Sequence, residues 1–355
     1  MSRFLQLHLL TSYPPANLNR DDLGRPKTAK MGGVDRLRVS SQSLKRTWRT
    51  SDLFQSALDG HLGTRTKELG VGIFDKLVAA GISEKNAKVW ARDIAGQFGK
   101  LKKENKDYPK EDLEIEQLVH VSQSEREAID TLVDKLISDQ RAPEKDELDL
   151  LRKSEMAADI AMFGRMLASK PNFNVEAACQ VAHAISVHGV VIEDDYFTAV
   201  DDLNDGSEDA GAAHIGETGF AAGLFYSYIC INTEQLVENL GGDKALAEKA
   251  IAALTEAAVK VAPEGKQNSF GSRAYASYVR AELGDEQPRT LSVAFLKPLA
   301  KDCDDFGSAA VTALENQAEN FNKVYGDCYQ KNYALNALTG EGSMIELLAF
   351  VKDFS

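Results

Sequence analysis

The chain has 355 residues, 43% of them hydrophobic, which is enough for a sizeable core spread over two or three domains or one domain with large insertions. Lys and Arg number 41 against 54 Asp and Glu, a formal charge of −13 that argues against general affinity for nucleic acid or anionic membranes. Cys179, Cys230, Cys303 and Cys328 form no Cys-x-x-Cys pair, so neither a disulfide framework nor a structural zinc site is expected, and a reducing compartment, the cytoplasm, is.

In chain order, Phe4 to Leu10 reads as a first strand. Arg3, Gln6 and His8 interrupt its apolar run and no small-residue cleavage site follows, so a signal peptide is not expected. No uninterrupted apolar run reaches the roughly 18 residues of a membrane span. Thr11 to Asp35, with Pro14, Pro15, Pro26 and Gly32-Gly33, reads as a long polar loop of the kind that is usually functional. Arg36 to Val39 then forms a short strand, and Ser40 or Ser41 can N-cap a helix. Helical spacing places Gln42, Lys45, Arg46 and Arg49 on one arc, with Leu44 and Trp48 opposite. Residues 1–50 hold ten cations against three acids, a net of +7, which leaves −20 on the other 305 residues. A solvated basic helix face is the plain explanation. A cationic groove on so acidic a chain points instead to a selected polyanion, for which the free N–H groups of the helix start add an anion site.

Residues 52–170 read as predominantly helical, with Ser124 and Glu127 as a capping box ahead of the apolar face Ile129, Leu132, Val133, Leu136 and Ile137. Lys100 to Asp112 is charged, lacks periodicity and is expected to be mobile. The odd positions from Val175 to Val187 favour a strand, although the alanines also permit a helix. Asp194 to Phe220 reads as a projecting hairpin with turn signals at Asn204-Asp205-Gly206 and Gly211. Leu224 to Asn232 returns as a strand, and Asp243 caps a helix that ends at Pro263. Tyr275 to Leu283 and Leu291 to Phe295 read as strands, and helices at 307–325 and 343–353 follow. His183 and His188 have a spacing unsuited to a helical metal pair. Without the insertions, the order is strand, helix, strand, strand, helix, strand, that of an α+β ferredoxin-like or RNA-recognition-motif domain.

At Asn19-Arg20-Asp21-Asp22, Arg36 to Arg46, Gly164-Arg165-Met166, Ala182 to Ile185, Tyr196 to Leu203 and Glu238 to Gly242, the chain closely resembles the CasC backbone subunits of type I-E CRISPR Cascade complexes. The likeness is dispersed and ordered from residue 1 to about 270 and is poor beyond about Gln267. It implies an RNA-recognition-motif palm (1–51 and 171–355), a helical fingers insertion (52–170) and a hairpin thumb (194–220). It also implies a non-catalytic subunit that polymerises along CRISPR RNA and leaves the bases free to pair with a target DNA strand. Its partners would be that RNA and target, further copies of itself joined head to tail, and other Cascade subunits, with no membrane, metal or cofactor.

Within that resemblance Asn19 belongs to the matching loop motif. Arg20, Lys27, Lys45, Arg46 and Arg49 can neutralise phosphates, and Ser40 and Gln42 can add hydrogen bonds to phosphate or ribose. Met166, Phe197, Thr198 and His214 fall where the family presses side chains against bases. A core role for Met166 and a hairpin-anchoring role for Phe197 remain open beside these. The alternative is a metal-assisted ribonuclease using Asp21 or Asp22, as in backbone subunits of type III effectors, although two adjacent carboxylates alone are a weak metal motif.

Overall fold

The computed structural model describes residues 2–153, 156–199, 214–300 and 302–354. The chain divides into two compact units, Met1–Phe54 with Val181–Cys230 and Ile251–Ser355, and Gln55–Gln180 with Ile231–Ala250.

The first unit begins with β1 (Phe4–Ala16), β2 (Thr28–Met31), β3 (Val34–Val39) and α1 (Ser41–Arg49). β1 extends well past Leu10, and a β2–β3 hairpin with register Thr28↔Leu37 to Met31↔Val34 takes up the far end of the expected loop. Gly32 and Gly33 turn it at φ +63° and +81°, and the Leu296 carbonyl oxygen lies so close to Gly32 that a Cβ has no room there. The expected loop is therefore shortened to residues 17–27.

The sheet runs Lys331–Asn336, Ala276–Gly284, β1, His214–Asn232, Ala184–Ser186, β3, β2. Central placement explains why β1 is buried on both faces: Leu5, Leu7 and Leu9 line one side and Gln6, His8 and Leu10 the other. Opposite them, Arg280 pairs with His8 and Glu282 with Gln6 in an antiparallel register. The polar side is roofed by the Ser292–Phe295 turn and the Phe306–Tyr325 helix, whose Ala310, Leu314 and Ala318 pack with Leu10, Tyr226, Tyr278 and Phe295. Each large apolar side chain so buried contributes about 1.5–3 kcal/mol.

Two expected strands are corrected here, and one strand was not expected. Leu291–Phe295 is a one-turn helix over the sheet, an apolar run too short for periodicity to classify. Val175–Val187 is two short strands, Cys179–Val181 and Ala184–Ser186. Lys331–Asn336, a polar edge strand, carries no alternation that reveals it.

The second unit is helical around Leu69, Ile73, Leu77, Trp90, Ile94, Phe98, Ile129 and Leu136. It differs from the expected 52–170 insertion by gaining 231–250, because the Asn239 side chain donates to the carbonyls of Ala161 (3.0 Å) and Glu176 (2.8 Å). The capping box of its Gln123–Asp139 helix uses Ser122 and Glu125, two residues before the expected pair. Glu125 is buried and ion-paired with Arg165 at 2.7 Å, so the tertiary contact selects it over Glu127. The Lys100–Asp112 segment, expected to be mobile, is braced by Lys102 to Glu111 (3.0 Å) and Glu114 (2.9 Å) and by Lys100 to Glu116 (2.8 Å). Among the described residues no helix is long and apolar enough to cross a membrane.

Candidate nucleic-acid interface

α1 forms because Ser40, extended at φ −69° and ψ 147°, caps it by accepting the Ser43 N–H, while Leu44, Thr47 and Trp48 bury one face. The opposite arc is as expected: Gln42 and Arg46 are exposed and Lys45 and Arg49 half-buried. Arg46 and Arg49 sit in the last turn, where the helix dipole favours cations.

Loop 17–27 is fastened to the start of this helix. Asn19 Oδ1 accepts the Ser40 N–H at 2.9 Å, its carbonyl accepts the Lys27 N–H at 2.8 Å, and the Lys27 carbonyl accepts the Arg38 N–H at 2.8 Å. Asp21 folds the tip by accepting the N–H groups of Leu23 (3.0 Å) and Arg25 (2.9 Å) on Oδ1, an Asx turn that leaves Arg20 and Asp22 exposed. Arg25 pairs with Asp194 at 2.9 Å, tying the loop to the hairpin base. Asn19, Arg20, Lys27, Ser40, Gln42 and Lys45 therefore share one neighbourhood.

Two participants were not among the expected residues. His183 Nδ1 accepts the Ser41 N–H and faces the Arg38 guanidinium, each at 3.3 Å. Burial, then the charges of Arg38 and Lys27, push this imidazole below its ordinary value. A neutral His183 accepting at Nδ1 carries its proton on Nε2 and remains a donor there. With Ser41 and Ser43 N–H groups engaged, the Gln42 N–H has no partner among the described residues and completes a small cradle of donors. Arg38, half-exposed, belongs with Lys27 in the same cluster. Strand alternation does not separate it from Arg36 on the same face. Arg36 is fully buried and donates to the carbonyls of Met31 (3.3 Å), Ser186 (2.8 Å) and Phe295 (2.8 Å), so one of the ten N-terminal cations is structural.

The hairpin pairs Glu193–Ala199 with the start of His214–Asn232 from Glu193↔Phe220 to Ala199↔His214, and the expected turn at 204–211 lies outside the described residues. Phe197 is 43% exposed and its ring lies over Gly216, so it both anchors the ribbon and shows a face to solvent; Thr198 beside it is exposed. His214 is placed by its backbone pairing with Ala199. Met166 lies in the second unit, 80% exposed at the rim of a cavity of about 120 Å³ lined by Phe98, Leu118 and Leu167, which removes the core alternative. Among the described residues no group of three His, Cys, Asp or Glu is arranged to hold a metal.

Phosphate-sized anions suit this cluster: cations on two elements, a helix start and neutral donors converge without a base-reading pocket. The family model described as CT1975-like protein matches residues 5–347. A chain of a solved "CRISPR RNA-guided surveillance complex, pre-nicking" superimposes with a TM-score of 0.84 at 29% identity, covering 99% of this chain and 100% of that one. A chain of a second CRISPR RNA-guided surveillance complex gives a TM-score of 0.73 at 24% identity over 98% and 99%, a likeness of fold. Comparison with curated proteins gives no match.

Proposed function

The chain belongs to the CT1975-like protein family, and from that premise we propose that it is a CRISPR RNA-binding subunit of an RNA-guided surveillance complex, of the CasC type of type I-E Cascade. It holds the guide by its backbone, polymerises along it head to tail in the cytoplasm alongside other Cascade subunits, and leaves the bases to pair with target DNA. The observation that carries this reading is the convergence of Lys27, Arg38 and His183 at the N-cap of α1, with Lys45 about one turn along the helix, on a chain whose remaining charge is strongly acidic. Such a cluster binds phosphates without regard to sequence, as a scaffold for arbitrary guides requires.

An RNA-recognition-motif palm is supported by strand order. Ala276–Gly284, β1, His214–Asn232 and Ala184–Ser186 are the fourth, first, third and second of four strands in the chain, with α1 after the first and the Lys244–Lys260 helix after the third. The 193–220 ribbon is the thumb and the helical unit the fingers, with Met166, Phe197, Thr198 and His214 meeting bases. A non-catalytic role is favoured over the ribonuclease because Asp21 Oδ1 already serves two backbone N–H groups, a task that shapes the loop.

The test is filter binding of the full chain to single-stranded RNAs of unrelated sequence over a salt series. Lys45→Ala with Arg49→Ala should weaken all of them alike and shallow the salt slope by up to about two. A loss confined to particular sequences refutes the phosphate assignment. Incubating the RNA-loaded assembly with complementary RNA and magnesium addresses the alternative: regular cleavage abolished by Asp21→Ala or Asp22→Ala overturns the scaffold reading.

A further inference from the structure

Residues 264–275 connect the Lys244–Lys260 helix to the Ala276–Gly284 strand. The loop is locked against the 17–27 loop of the cationic surface and against the hairpin base to which that loop is tied. Gly265 approaches the carbonyl oxygens of Leu18 and Asn17 so closely that no Cβ fits. Lys266, held left-handed at φ +47°, donates through Nζ to Thr218 Oγ1 in the hairpin base. Phe270 packs on Phe220 with ring centroids 6.1 Å apart. Asn17 closes the triangle by donating from Nδ2 to the carbonyls of Gly24 and Gly219, both at 2.9 Å.

From this frame two side chains project. Arg273 is exposed, and Tyr275 is 68% exposed at the strand entrance, beside Thr11 of β1, whose partner is Ala276. Neither the guanidinium nor the phenol hydroxyl has a hydrogen-bond or ion-pair partner among the described residues. The loop carries Lys266 and Arg273 against one acid, Glu264, within the otherwise acidic remainder of the chain. An exposed aromatic ring two residues from an exposed cation, on a loop fastened to a cationic surface, suits a stacked base and its adjoining phosphate.

We propose that the 264–275 loop is a second lip of the same surface, in which Arg273 binds a phosphate and Tyr275 stacks on a base of the bound single-stranded RNA. This rests on the RNA-binding reading, and the experiment separates the two. The full chain, its Arg273→Ala, Tyr275→Ala and Tyr275→Phe variants, and the Lys45→Ala/Arg49→Ala control are titrated against fluorescein-labelled single-stranded RNA over a salt series. Light scattering without RNA and circular dichroism accompany each.

Tyr275→Ala should weaken binding by about five- to 150-fold, the range of one stacked base, while Tyr275→Phe binds like the parent. Arg273→Ala should shallow the salt slope by about one. Because both side chains are exposed, the dichroism should not change. If both alanine variants bind like the parent while the control is weakened, the second lip is refuted and the RNA-binding reading stands. If the parent itself binds no RNA, or the control equals it, that reading fails first. A Phe variant as weak as the Ala variant refutes stacking. An effect seen only as lost self-association without RNA makes the loop a contact between copies and overturns the proposal.

Discussion

Arg36 and Arg38 show how little a side chain's chemistry says of its task until its surroundings are known. They share one face of β3, yet the first is sealed under Phe295 and satisfies three carbonyls, while the second meets His183 and solvent. Periodicity places both on one face, and only the cover supplied 259 positions later separates them. His183 was hidden for the same reason, its partner Ser41 lying 142 positions away. Arg20, Gln42 and Arg46 were legible because exposure on a capped, amphipathic helix or a turn is a local property. Arg36→Met should therefore cost about 2–4 kcal/mol in urea unfolding, since three buried carbonyls lose their donor. Arg38→Met should stay within about 0.5 kcal/mol of the parent and instead weaken RNA binding. The reverse ranking would assign the two arginines the wrong way round.

Among the elements, α1 was readable to within a residue, since its cap, its buried stripe and its cationic arc all lie inside one stretch of sequence. β1 was underestimated because its continuation through Tyr13-Pro14-Pro15 contains prolines that usually end strands. The central strands carry a feature that alternation does not forecast, a polar cluster inside the sheet's roof. His8 donates to or accepts from Tyr226 Oη at 2.9 Å, and Glu282 takes Arg280 at 2.7 Å and also Arg289, while Arg280 reaches Glu315 at 2.7 Å. Burial holds His8 below its ordinary 6.5 despite the pull of Glu282. Burial opposes the Glu282 charge, but His8 and Arg289 overcome it and hold that carboxyl below its ordinary 4.5. Both groups take up protons more readily unfolded than folded, so stability is full above about pH 6.5 and falls as pH drops, with the carboxylate adding its share below about 4.5. Urea midpoints should decline from about pH 7 to pH 5, and His8→Gln should flatten that decline. Parent midpoints constant over the interval would contradict this arrangement.

For the molecule as a whole, the charge is partitioned: ten cations fall within residues 1–50 and the remaining sequence is net −20. A subunit that repeats along RNA requires a heterologous interface, because a two-fold dimer closes on itself. In the proposed assembly the 193–220 hairpin is the reaching element; its paired base is anchored by Arg25–Asp194 and by Asn17. Replacing Asn204–Ala212 with a Gly-Ser turn should leave circular dichroism and thermal unfolding unchanged and abolish cooperative coating of RNA. Full-length filaments from the trimmed chain would remove the thumb assignment, and an unfolded product would place the hairpin in the core. The most direct test of the central claim is native mass spectrometry of the full chain on single-stranded RNAs of increasing length and unrelated sequence. Bound copies should increase stepwise with RNA length, independently of sequence. A fixed one or two copies at every length, or binding to only some sequences, would contradict it.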